Sequence, residues 1–129
     1  MTDPSSQARR KLAEELAILN GYYLVPPYDH GDVITEQGSV GVEIMQDVNP
    51  NAVFVPVDGG GLISGIAVAI KKMNSKVKII VVERELENDA FLSFKFRKRV
   101  SLDSPSVSIV DAIKVQVLCD ITIILFLIM

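Results

Sequence analysis

The chain has 129 residues, 49% of them apolar, a formal net charge of -3 and one cysteine. That length and composition suit one domain with a real core. The acidic balance argues against a nucleic-acid surface, and the lone Cys119 excludes a disulfide framework or a common zinc site and suits a reducing, cytoplasmic setting.

Asp3, Pro4, Ser5 and Ser6 offer a cap and an early proline, predicting a helix that runs through Asn20. Leu12, Leu16 and Leu19 lie on its apolar side, and Asn20-Gly21 stops it. The polar residues 1–7 and the charged helix behind them do not read as a secretory leader. Residues 22–25 (Tyr-Tyr-Leu-Val) read as a short strand ended by Pro26-Pro27. Asp32 is the expected cap of a second helix that ends near Asn49-Pro50. Residues 53–57 (Val-Phe-Val-Pro-Val) form an apolar run that predicts a strand covered on both faces.

Asp58 and the three glycines Gly59, Gly60 and Gly61 follow, and Leu62 opens a helix to Met73 with Leu62, Ile66, Ala69, Ile70 and Met73 on one face. Backbone N–H groups at a helix N-terminus, beside a loop without side chains, make a place for a phosphate. The loop alone leaves open a second reading, a tight turn that binds nothing. Residues 77–82 are the next strand, and 86–96 a further helix. Lys95, Arg97, Lys98 and Arg99 form a small basic run, read as a solvated helix end. Alternating helices and strands predict an α/β fold with a parallel sheet and helices on both faces, ligands sitting at the carboxyl ends of the strands.

Three segments then carry a resemblance. Residues 32–44 read DVITEQGSVGVEI, 53–65 VFVPVDGGGLISG, and 78–83 KIIVVE. Together they resemble the serine racemase and threonine/serine dehydratase group of fold type II pyridoxal-phosphate enzymes, in register from about residue 13 to about residue 115. The resemblance implies an incomplete three-layer parallel sheet like that of the tryptophan synthase β chain. It implies pyridoxal phosphate as cofactor, a small amino acid as substrate, and Gly59, Gly60, Gly61 and Leu62 around the cofactor phosphate, with Asp58 where the group usually has glycine. Glu83, Glu87 and Asp89 fall where racemase-like members hold Mg²⁺ or Ca²⁺, the alternative being a strand-end glutamate beside an acidic turn. Tyr28 falls near the cofactor in relatives, whereas His30, the only histidine, reads as a surface-loop residue.

The family's S-x-K-x-R-G stretch, which carries the Schiff-base lysine, does not occur in these residues, so no catalytic residue is assigned and the chain by itself is expected to be inactive. Residues 108–115 (SIVDAIKV) resemble the family's "TIADGIAV". The expected division is therefore a partial enzyme domain over 1–116 and an apolar tail over 117–129 that matches nothing expected of the group. That tail is too short to span a bilayer. The chain reads as a fragment of a serine/threonine ammonia-lyase or racemase. The alternative is a non-catalytic remnant that pairs with a full-length paralogue in a homo- or hetero-oligomer.

Overall fold

The computed structural model describes residues 6–86, 88–102 and 117–123. In chain order the elements are α1 (Ser6–Asn20), α2 (Gly31–Asp47), β1 (Ala52–Pro56), α3 (Gly61–Met73), β2 (Lys78–Val82) and α4 (Asp89–Phe96). β1 and β2 pair in parallel, from Ala52 opposite Lys78 to Pro56 opposite Val82, with α3 as the crossover that parallel pairing requires. The Val57 N–H donates to the Val82 carbonyl at 3.0 Å and carries the ladder one residue further. The expected α/β fold with parallel strands is thus present. No helix among the described residues is long and apolar enough to cross a membrane.

The core joins Val55 and Val57 of the first strand segment, Ile63, Ile66 and Ile70 of α3, Val77, Ala90, Leu118 and Ile123. The buried stripe of α3 is Ile63, Ile66, Ala67 and Ile70, at helical spacing. It is rotated from the expected one, since Leu62 and Met73 are exposed. Burying each of these larger aliphatic side chains stabilises the fold by roughly 1.5–3 kcal/mol.

α2 packs on α3 through small residues. A Cβ on Gly65 would lie 2.3 Å from the Ile34 carbonyl oxygen and 2.7 Å from the Gly38 nitrogen, and one on Gly41 would lie 2.8 Å from the Ile66 carbonyl oxygen. The two backbones touch where side chains would hold them apart.

Several local expectations are corrected. Residues 22–25 are not a strand, because no described strand pairs with them, and Tyr22, Tyr23 and Val25 stay exposed. His30, not Asp32, caps α2: its Nδ1 accepts the Asp32 N–H at 3.3 Å, and the helix begins at Gly31. The apolar run of β1 is covered on one face only, and Phe54, pointing away from α3, is 70% exposed. α4 starts at Asp89, three residues later than expected. The expected first-helix cap at residues 3–5 and the segment 108–115 lie outside the described residues.

Candidate functional site

The glycine loop sits at the carboxyl end of β1 and opens α3. Gly60 is the N-cap, with φ of +95° and no side chain to cap the helix. An ordinary Ser, Thr or Asp at this position would accept one of the orphan amides of the first turn. Here the N–H groups of Gly60, Gly61 and Leu62 donate to no acceptor among the described residues. The Gly60 carbonyl accepts the Ser64 N–H at 3.0 Å, pointing down the helix. Peptide planarity therefore turns the Gly61 N–H outward from the helix end.

Both walls of the loop require glycine. A Cβ on Gly59 would lie 2.8 Å from the Tyr28 ring, one on Gly61 would lie 2.9 Å from the Tyr28 carbonyl oxygen, and one on Gly60 would lie 2.8 Å from Thr122 Cβ. The loop residues line a concavity of about 240 Å³ together with Tyr28, Val33, Gln37, Asp58 and Ile63. Burial pushes the Tyr28 phenol above its usual range, so it stays neutral at the mouth. The arrangement offers several convergent N–H donors and a helix N-terminus whose field favours an anion by about 0.3–2 kcal/mol. Against this stands Asp58, whose carboxylate also raises the pKa values of Tyr28, Cys119 and Asp89.

The expected phosphate residues Asp58, Gly59, Gly60, Gly61 and Leu62 are brought together in this one concavity. No lysine lines it. A larger groove of about 610 Å³ runs along β2 and α4, lined mainly by apolar side chains such as Ile79, Val81, Phe91 and Phe94, and no loop glycine reaches it.

Of the acidic trio, Glu87 lies outside the described residues. Glu83 spends its carboxylate on the start of α4, accepting the Ala90 N–H at 2.8 Å and the Phe91 N–H at 2.9 Å. Burial raises its pKa, and those two amides oppose the shift. Asp89 is 2% exposed, and its Oδ2 has no hydrogen-bond partner among the described residues. Burial, then the neighbouring Glu83 carboxylate, pushes its carboxyl up to about 7. No three acidic, His or Cys side chains converge among the described residues, so these alone do not make up a cation site.

The remaining candidates fall into structural roles. Arg97 closes α4 in the left-handed region with its guanidinium over Phe94, Lys95 lies over Phe91 and Phe96, and Arg99 pairs with Asp120. Lys71 Nζ donates to the Ser75 carbonyl at the far end of α3. Cys119 is half-buried, and burial pushes its thiol up to about 11, which removes it as a nucleophile near neutral pH.

The contribution of residues 117–123 escaped the sequence. Leu118 and Thr122 are buried against the loop, the Thr122 hydroxyl donates to the Gly59 carbonyl at 2.7 Å, and the Cys119 N–H reaches the same oxygen at 3.4 Å. Only the alternation of polar Thr122 with apolar neighbours hinted at it.

Comparison with known proteins gives the family and the fold. The family profile described as "Pyridoxal-phosphate dependent enzyme" matches residues 1–126. The chain is 38% identical over 118 residues to the L-threo-3-hydroxyaspartate ammonia-lyase of Saccharomyces cerevisiae, covering 91% of this chain and 36% of that one. It is 46% identical over 101 residues to the biosynthetic chloroplastic threonine dehydratase of Arabidopsis thaliana, covering 76% and 16%. The structure of maize serine racemase superposes with a TM-score of 0.90 at 29% identity, over 98% of this chain and 38% of that chain. The chain thus spans about a third or less of the curated relatives it matches.

Proposed function

Since this chain belongs to the pyridoxal-phosphate dependent enzyme family, in its threonine dehydratase and serine racemase group, we propose that its glycine loop holds the cofactor phosphate of a serine/threonine ammonia-lyase or racemase. The observation that carries the proposal is the start of α3, which no side chain caps, where the N–H groups of Gly60, Gly61 and Leu62 have no acceptor among the described residues and the three residues line a concavity. When bound, pyridoxal phosphate supplies an electron sink for the charge left as an amino acid loses its α-proton. This chain's part is to bind and orient. The three amides would hold the phosphate oxygens, and the Tyr28 ring, packed against Gly59, would close one side and exclude water. No lysine among the described residues lines the concavity, so the role proposed for this chain is limited to binding and orientation.

Asp58 lines the same concavity. A carboxylate directed at the phosphate from a few Å would repel it by about 1–4 kcal/mol at effective dielectrics of 80 to 20. Asp58→Gly is therefore expected to tighten pyridoxal-phosphate binding by about fivefold or more, measured by fluorescence titration of the full chain. Equal affinities would contradict the repulsion, and no binding by either protein would contradict the phosphate assignment itself.

A second reading is supported by the exposed Leu12, Leu16 and Leu19 side of α1 together with the open Phe54 face. These surfaces suit a partner of the same family, and co-elution with a full-length relative is the check.

A further inference from the structure

The segment 117–123 packs on the glycine loop at Gly60, where a Cβ would meet Thr122 and Leu118, whereas Tyr28 packs at Gly59 and Gly61. Thr122 is 1% exposed, its hydroxyl donates to the Gly59 carbonyl at 2.7 Å, and it shares that acceptor with the Cys119 N–H. The segment is itself anchored. The Asp29 carboxylate accepts the Asp120 N–H at 3.3 Å and the Ile121 N–H at 3.1 Å. Asp29 is next to Tyr28, so the two walls of the loop are tied to each other across its base.

A trans peptide holds its C=O and the following N–H on opposite sides of one plane. Fixing the Gly59 carbonyl toward Thr122 therefore fixes the Gly60 N–H away from Thr122, in a loop that lines the concavity. Left free, glycines would let that plane turn, because Gly60 has no Cβ to limit its angles.

Resting on the assignment of the loop as a phosphate site, we infer that Thr122 is a positioning residue that aims the Gly60 amide at the phosphate. It does not line the concavity and acts through the Gly59–Gly60 peptide, its one hydroxyl proton going to the nearer Gly59 carbonyl at 2.7 Å rather than to the Cys119 carbonyl at 3.1 Å. Serine in its place keeps the hydroxyl and loses a methyl group, whereas valine keeps the shape and loses the hydroxyl. A packing role and a positioning role thus predict opposite orders for the two variants.

The test is titration of the full-length chain with pyridoxal phosphate, followed by fluorescence and by the Gly60 amide resonance. Thr122→Val is expected to bind about tenfold more weakly or worse, with the Gly60 resonance no longer responding, and Thr122→Ser to stay within about threefold of wild type. Binding by Thr122→Val at wild-type strength, or better than by Thr122→Ser, overturns the positioning role while the phosphate assignment stands. Failure of the wild type to bind overturns both. Should Thr122→Val not fold, Asp29→Ala releases the same segment from its anchor with Thr122 intact. A loss of about threefold or more in affinity is then expected, and unchanged affinity refutes the inference.

Discussion

Gly65→Ala is expected to destabilise the protein by about 3 kcal/mol or more, a large fraction of the roughly 5–15 kcal/mol of an ordinary domain. Two effects of opposite sign compete. Alanine is the better helix former, by about 1 kcal/mol in a helix interior. The added Cβ, however, would stand 2.3 Å from the Ile34 carbonyl oxygen and 2.7 Å from the Gly38 nitrogen. Both are backbone atoms of α2, which has no rotamer by which to yield, so α2 and α3 must separate. That separation exposes the seam between the helices, where Ile34, Gly38 and Gly41 of α2 are buried. Gly31→Ala is the control: it is also in α2, but a Cβ there meets nothing within 4 Å, and stability should hold or rise slightly. Thermal melts of the two variants give the comparison. A Gly65→Ala protein as stable as Gly31→Ala would mean that the helices are not packed backbone to backbone.

Asp89→Asn is expected to remove most of a pH dependence that burial imposes. The Asp89 carboxyl is raised to about 7 in the folded chain from an ordinary 3.8. Between these values the native state keeps a proton that the unfolded chain has released, so stability falls as pH rises from about 4 to about 7. Below about pH 4 both states hold the proton and the penalty vanishes. Above about pH 7 the buried charge carries its full cost, on the order of 4 kcal/mol. Glu83 is raised too and acts in the same direction, so part of the pH dependence persists in the variant, and the difference reports Asp89 together with its coupling to Glu83. At about pH 8 the asparagine variant should be more stable by about 2–4 kcal/mol, and at about pH 4 nearly equal, in denaturant melts at each pH. A constant difference across pH would show that Asp89 titrates normally.

The parts of the fold legible in the sequence were those set by local pattern. A β-branched run, three glycines and a helical stripe mark β1, the loop and α3, because strand period, turn chemistry and helix period all act within a few residues. The residues that contact across the fold were not legible. Gly65 and Gly41 read as permissive backbone until α2 is seen resting on α3, since a missing Cβ carries no sign of what approaches it. The hydroxyl of Thr122 lies 63 residues from Gly59 in the chain, and no spacing rule joins them. Residues 22–25 have strand composition but no described partner, and a strand exists only where a second one pairs with it. The choice between His30 and Asp32 as the α2 cap turned on one ring nitrogen reaching one amide.

The most direct test of the phosphate assignment is to titrate the ¹⁵N-labelled chain with pyridoxal phosphate and follow every amide. The account predicts saturable shifts at Gly60, Gly61 and Leu62, with Gly21 and Gly31 unmoved. Shifts confined to surface lysines, with those three loop amides still, would contradict it.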